Sequence, residues 1–260
     1  MAKTNSSAVP SLLKDIRAAL DAKVEEKLRT PDGSRPKGQL KALGVRTSAL
    51  RTVARDVVTK GRSGVDYATA VSLLDAAVAR KVREEILVAI DVLERYRREF
   101  DATLFSHLDK WSSAADDVEV AEALGARIAA PSLAKEPSRM ALVKKWARLK
   151  SPGKRRLAVL AASGLVTEGR REAGPVLEMC EHLLNEDNPV LVSAVAGLLR
   201  DTTKVDAKAV QDFLFRRSID GNPDILRAGS ENLDAARRAA LIAKLEAQAG
   251  LPTQLAAVER

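Results

Sequence analysis

The sequence predicts an all-α protein built as an array of helix pairs, on three observations. Alanine and leucine dominate a chain of 260 residues that is 46% hydrophobic but only 3% aromatic, a composition suited to close helix packing. Apolar residues recur at helical spacing in one segment after another, and no stretch alternates as a strand does. Short turns separate the segments at an even rhythm, with comparable pairs about forty residues apart, within the range of HEAT-type repeats. Such an array stacks into a superhelix whose concave face takes an extended partner. The net charge of +8 predicts that this concave face is basic.

The elements follow in order. Pro10 and Ser11 open a helix through Leu13, Ile16, Leu20 and Val24 to about Leu28. Thr30 to Gln39, with two prolines, two glycines and net positive charge, reads as a loop. After Leu40 to Gly44, Thr47 or Ser48 caps a helix with Leu50, Val53, Ala54 and Val57 on its buried stripe. Gly61 to Gly64 is a turn. Tyr67 to Ala79 buries Val71, Leu74 and Val78, and Arg80 to Phe100 buries Ile86, Ile90 and Leu93. A short helix, Ala102 to Leu108, leads to the stretch Phe105 to Ile128, and Pro131 is expected to end the helix after it. Glu136 to Leu149 carries Met140, Val143 and Trp146. Ser151 to Arg156 breaks the chain before an apolar helix from Leu157 to Val166. Arg171 to Leu184 and Val190 to Thr202 flank Asn188–Pro189, with the proline in the first turn of the second helix. Asp206 caps a helix through Phe213 and Phe215, and Pro223 to Leu226 and Leu233 to Leu245 close the array. The expected division is an N-terminal helix and basic loop, 1–39, belonging to the same array, a repeat domain, 40–248, and a frayed tail, 249–260.

The totals also bound function. Cys180 is the single cysteine, so no intrachain disulfide forms, which fits a cytosolic compartment. His107 and His182 are the only histidines, and Cys180 and His182, two apart, point to different helix faces. No metal site, cofactor site or Cys–His catalytic pair is expected. Neither a secretory signal nor a membrane span is read from the sequence. The basic balance points to a polyanion, nucleic acid before membrane.

One stretch stands out chemically. Trp111 is followed by the acidic pair Asp116–Asp117 in an otherwise basic chain. An aromatic face and a carboxylate together favour a cationic ligand. Against that, Asp116 with Glu119 has the form of a capping box, and a solitary tryptophan is usually core.

Four segments carry a family resemblance. They are GVRTSALR from Gly44 to Arg51; DKW from Asp109 to Trp111 with the acidic pair and ALG at Ala123 to Gly125; KRRLAVLA from Lys154 to Ala161; and the run from Val192 to Leu214. In this order and spacing they resemble the AlkD-like group of DNA alkylation repair glycosylases with HEAT-like repeats, over roughly Leu40 to Leu214. The resemblance implies hydrolysis of the N-glycosidic bond of a cationic N-alkylated purine in double-stranded DNA, by a monomer without cofactor, in a cytoplasmic, nucleoid-associated setting. It implies a carboxylate that stabilises oxocarbenium character on the sugar. Matching from Trp111 selects Asp116 for that role, whereas counting back from Leu124–Gly125 selects Asp117. The capping box would occupy Asp116 with backbone N–H groups and leave Asp117 free, which favours Asp117. Trp111 would face the sugar or base, and Arg156 would hold a phosphate beside the lesion. Arg46, Thr47 and Arg51, with Lys154, Arg155 and Arg200, would grip the duplex backbone. The chain departs from the pattern where the family carries a second tryptophan, here Gly197, and a lysine, here Ser193. One aromatic wall is therefore missing, which fits bulkier adducts, altered specificity or lost activity. A non-catalytic DNA-binding protein on the same scaffold is the rival reading, and a protein-binding solenoid a third.

Overall fold

The computed structural model describes residues 8–28, 39–60, 65–168 and 172–249. Most of the expected basic loop, the Gly61 to Gly64 turn, Arg171 and the tail beyond Ala249 lie outside these residues. In chain order the helices are α1 (Val9–Asp21), α2 (Thr47–Lys60), α3 (Tyr67–Arg80), α4 (Arg83–Glu94), α5 (Leu104–Trp111), α6 (Val118–Ala123), α7 (Ala130–Lys135), α8 (Met140–Ala147), α9 (Pro152–Thr167), α10 (Gly174–Cys180), α11 (Pro189–Thr203), α12 (Ala207–Arg216), α13 (Pro223–Gly229) and α14 (Ala235–Ala249). Among the described residues the only β pairing is an isolated bridge between Lys41 and Val82.

The helices form two layers. In one, α2, α4, α6, α9, α11 and α13 pack each on the next. In the other, α1 packs on α3 and α3 on α5, while α8, α10, α12 and α14 continue the row. Rungs such as α3 on α4 and α8 on α9 join the layers. This is the expected all-α helical repeat solenoid. One continuous core runs through it, with Ile16, Leu74, Ile90, Leu104, Val143, Leu165, Leu199 and Leu226 essentially inaccessible.

The repeat is shorter than the sequence rhythm suggested. Side-chain bonds between successive repeats join residues 34 to 37 apart: Arg83 to Asp117, Asp75 to Trp111, Asp109 to Trp146, Ser151 to Asp116 and Arg156 to Glu122.

Several boundaries also differ from expectation: the first helix ends at Asp21 and not near Leu28, and the helix expected to reach Phe100 ends at Glu94. Pro131 does not end its helix. Between α6 and α7 the rod widens into a π-helical turn, Leu124–Ala129, in which Ala130 N–H reaches back to Gly125 O. Proline lacks a donor and crowds the carbonyl four residues earlier. The wider turn places Pro131 in the first turn of α7, where the missing N–H costs little. Likewise, Ser151 to Arg156 is not a break before a short helix. Ser151 caps α9, its Oγ accepting from Lys154 N–H at 3.2 Å, so Lys154, Arg155 and Arg156 lie inside the helix.

Glycine sets the approach of α9. A Cβ at Gly164 would stand 2.0 Å from the Ala130 carbonyl oxygen, and one at Gly153 2.3 Å from the Ala115 oxygen. Both ends of α9 therefore touch the backbone of the preceding repeat, which only a residue without a side chain permits.

The two tryptophan bonds are one structural position seen twice, but Asp75 also holds His107, so its loss is expected to cost the more of the two. Asp75→Ala and Asp109→Ala each strand a buried indole N–H, an expected cost of about 1–3 kcal/mol. Urea melts of the two variants check this, and no destabilisation in Asp109→Ala would deny the bond's role.

Candidate functional site

The starts of the first-layer helices are joined into one edge. Leu43, Gly44 and Val45 N–H, just before α2, converge on the buried carboxylate of Glu84 at the start of α4, at 2.9 to 3.4 Å. Gly44 makes this turn with φ 86°, a conformation that favours glycine. Arg83, beside Glu84, donates to Asp117 at the start of α6. Asp116 accepts from Ser151 at the start of α9, and Arg155 reaches Glu186 ahead of α11. Asn222, the cap of α13, donates back to the Glu186 carbonyl at 2.6 Å.

On this edge the helix cap falls on the other aspartate from the one expected. Asp117, not Asp116, is the N-cap of α6: its Oδ1 accepts from Glu119 and Val120 N–H at 3.1 and 3.2 Å. Its Oδ2 accepts from Arg83 Nε at 2.7 Å, and its side chain is 10% exposed. The cap needs an extended residue directly before the first helical turn, and that residue is Asp117, with φ −82° and ψ 125°. Asp116 lies in the turn before it, is exposed, and takes a single bond, from Ser151 Oγ at 3.0 Å.

Trp111 presents no face to a ligand. It is 1% exposed, its Nε1–H donates to Asp75 Oδ1 at 2.7 Å, and His107 stacks beside it and bonds the same carboxylate. Trp146, on Asp109 at 2.9 Å, repeats the arrangement one unit on. The spacing from Asp75 to Trp111 and from Asp109 to Trp146 is the sequence signal that marks both as inter-repeat staples.

The expected cations divide into two groups. Arg46 is exposed and pairs with Glu25, and Thr47 is exposed in the first turn of α2, where Arg46 rather than Thr47 or Ser48 occupies the capping position. Arg51 lines a cavity of about 370 Å³ with Arg95, Arg127, Asp91 and Glu94. Lys154 lies in the first turn of α9, one turn from the exposed Asp116 bond. Arg155 is a structural clamp instead. It donates to the Leu149 and Lys150 carbonyls at 3.0 and 2.7 Å and to Glu186, and so fixes the end of α8. Arg200 bridges α11 to the end of α13, through the Ala228 carbonyl at 3.3 Å and Glu231 at 3.0 Å. Arg156 is 13% exposed and bonds Glu122.

Among the described residues, cavities open along the first layer. One, about 570 Å³, holds Arg46, Thr47 and Arg83 beside Glu84 and Glu119. The second is the Arg51 cavity. The third, about 290 Å³, lies between α9 and α11 and brings together Arg156, Ser193 and Gly197 with Glu122 and Asp201. Cations and carboxylates are interspersed on this face: Arg83, Arg127 and Arg156 are each met by an acid of a neighbouring helix, Asp117, Asp91 and Glu122. Sequence reasoning missed Arg83, Glu84 and Glu122, whose partners lie one repeat away and carry no local signature.

Among the described residues no cluster of three or more His, Cys, Asp and Glu could hold a metal ion. No described helix is long and apolar enough to cross a membrane.

The fold and the joined edge define a helical repeat protein with a grooved, charged face. A family described as DNA alkylation repair enzyme matches residues 16–233, and the chain belongs to that family. No curated protein matches the chain.

Burial decides the one thiol. Cys180 is inaccessible, and burial pushes its thiol up to about 12. At pH 8 a thiol reagent should leave the folded protein unmodified and label it fully in denaturant. Fast labelling of the native protein would contradict this burial.

Proposed function

We propose that the protein is a DNA glycosylase that releases cationic N-alkylated purines from duplex DNA. The observation that carries the reading is the exposed carboxylate of Asp116 at the junction of α6 and α9, in a chain of the alkylation repair family. Alkylation at a ring nitrogen makes the purine a good leaving group and leaves positive charge on the sugar as the bond breaks. A carboxylate with an uncommitted oxygen stabilises that charge and orients water. Asp116 has such an oxygen, since only its Oδ1 is engaged. Asp117 does not, since the cap and Arg83 take both of its oxygens. Asp117 instead fixes the turn that holds Asp116, and Gly153 brings the start of α9 against the same turn. Lys154, Arg46, Thr47 and Arg51 serve the phosphate backbone, which positions the duplex without reading sequence.

A non-catalytic DNA-binding role is the second reading, and the burial of Trp111 favours it. No aromatic face stands beside either aspartate to support a flipped or tilted nucleoside.

Single-turnover release from duplexes carrying 7-methylguanine or 3-methyladenine separates the readings. Asp116→Asn should slow release about a hundredfold or more while leaving melting temperature unchanged. Asp117→Asn still caps α6, so it should retain most activity and lose only a modest part of the Arg83 interaction. The reverse pattern would move the carboxylate to Asp117. No release by the parent from either duplex would leave the non-catalytic reading.

Salt titrations test the grip. Arg51→Ala and Lys154→Ala should each lower the slope of log affinity against log salt by about one unit on unmodified duplex. Arg155→Ala should leave the slope unchanged and lower thermal stability, because its contacts are internal.

A further inference from the structure

We infer that the cavity between α2, α4 and the widened turn at Leu124–Ala129 seats one backbone phosphate of the duplex, held jointly by Arg51 and Arg95, an inference built on the duplex-binding role proposed above. Arg95 and Arg127 lie outside the four segments that carry the family resemblance, which assigns neither a role. Most arginines of the grooved face are already answered. Arg46, Arg83, Arg127, Arg156 and Arg200 each meet a carboxylate from another element. Arg51 and Arg95 are exposed and meet no acid within ion-pair distance among the described residues, yet both line the same cavity of about 370 Å³. Their places on the helices bring them together. Arg51 lies in the second turn of α2. Arg95 is the C-cap of α4, its N–H bonding the Val92 carbonyl at 3.3 Å. The backbone dipole at a helix C-terminus favours a cation there without an acid of its own.

Charge in this cavity does not balance. Arg127, from the widened turn, and Asp91 form one close pair, and Glu94 stands 3.9 Å from Arg127. Glu94 is then the carboxylate left to two free guanidiniums, which leaves a single net positive charge in the cavity. Burial, and after it the charge of Arg51, push the Arg127 guanidinium below its ordinary range. Cations thus crowd together with too few acids, and an anion relieves the crowding. A phosphodiester carries one negative charge and offers an unbridged oxygen to each guanidinium. That charge matches the excess in the cavity, whereas a free phosphate, with roughly 1.5 to 2 negative charges at neutral pH, exceeds it.

Salt titrations on unmodified duplex test the seat, because the slope of log affinity against log salt counts neutralised phosphates. Arg95→Ala should lower the slope by about one unit, the same fall expected of Arg51→Ala. Losing either guanidinium brings the cavity to neutrality, so Arg51→Ala and Arg95→Ala combined should also lower it by about one unit and not by two. Glu94→Gln, which adds to the excess, should tighten duplex binding about threefold. Inorganic phosphate added at constant ionic strength should weaken duplex binding by the parent no more than by the double variant. Both arginines are exposed and without internal bonds, so thermal melting should show every variant folded. An unchanged slope in Arg95→Ala would remove Arg95 from the seat. A fall of about two units in the double variant would give each arginine a phosphate of its own. Inorganic phosphate that displaces duplex from the parent alone would assign the cavity to a free anion. Each of these outcomes would overturn the inference. Coupled slopes in a protein that releases no base would spare the seat and sink the glycosylase reading. Base release with additive slopes would do the reverse.

Discussion

The backbone contact of α9 with the preceding repeat governs the rest of the structure. At Gly164 and Gly153 the helix approaches so closely that a single methyl group would collide with a carbonyl. Interiors this dense do not yield by small amounts. Fixing α9 at both ends fixes the height of its N-terminus beside the Ala115–Asp116 turn. That height lets Ser151 reach Asp116 and lets Arg156 reach Glu122. The arrangement of charge on the grooved face is thus a result of apolar packing beneath it, not of attraction among the charges.

How much of this was legible in the sequence depends on range. The helices and most of their buried stripes were readable because a helix is specified by residues three and four apart. Asp206 was readable as a cap for the same reason, and its side chain does accept from Ala209 N–H at 2.9 Å. The cap expected at Asp116 lies one residue on, at Asp117. A capping box fits either register until the extended residue is known, and both aspartates are good caps. Trp111 failed because its partner, Asp75, lies a full repeat away. Arg155 and Arg156 read as a basic run, yet one faces the Leu149 carbonyl and Glu186 and the other Glu122. Neighbours on a helix diverge by about 100°, so adjacency in sequence said little about shared function.

The same contacts qualify the net charge of +8. On the grooved face Arg46, Arg83, Arg127 and Arg156 meet Glu25, Asp117, Asp91 and Glu122. Much of the positive charge on this face is therefore met by carboxylates within the protein, and two of those acids, Asp117 and Asp91, have side chains only 10% and 11% exposed.

The widened turn at Leu124–Ala129 acts as a phase shifter along its rod. One additional residue per turn rotates everything beyond it by about 100° relative to an unbroken α-helix. Arg127 lies inside that turn and faces Asp91 of α4, whereas Glu122, two residues before the turn's start, faces α9. A chain shorter by one residue here would form a smoother helix, and α7, beyond the turn, would meet α9 on a face turned by about 100°.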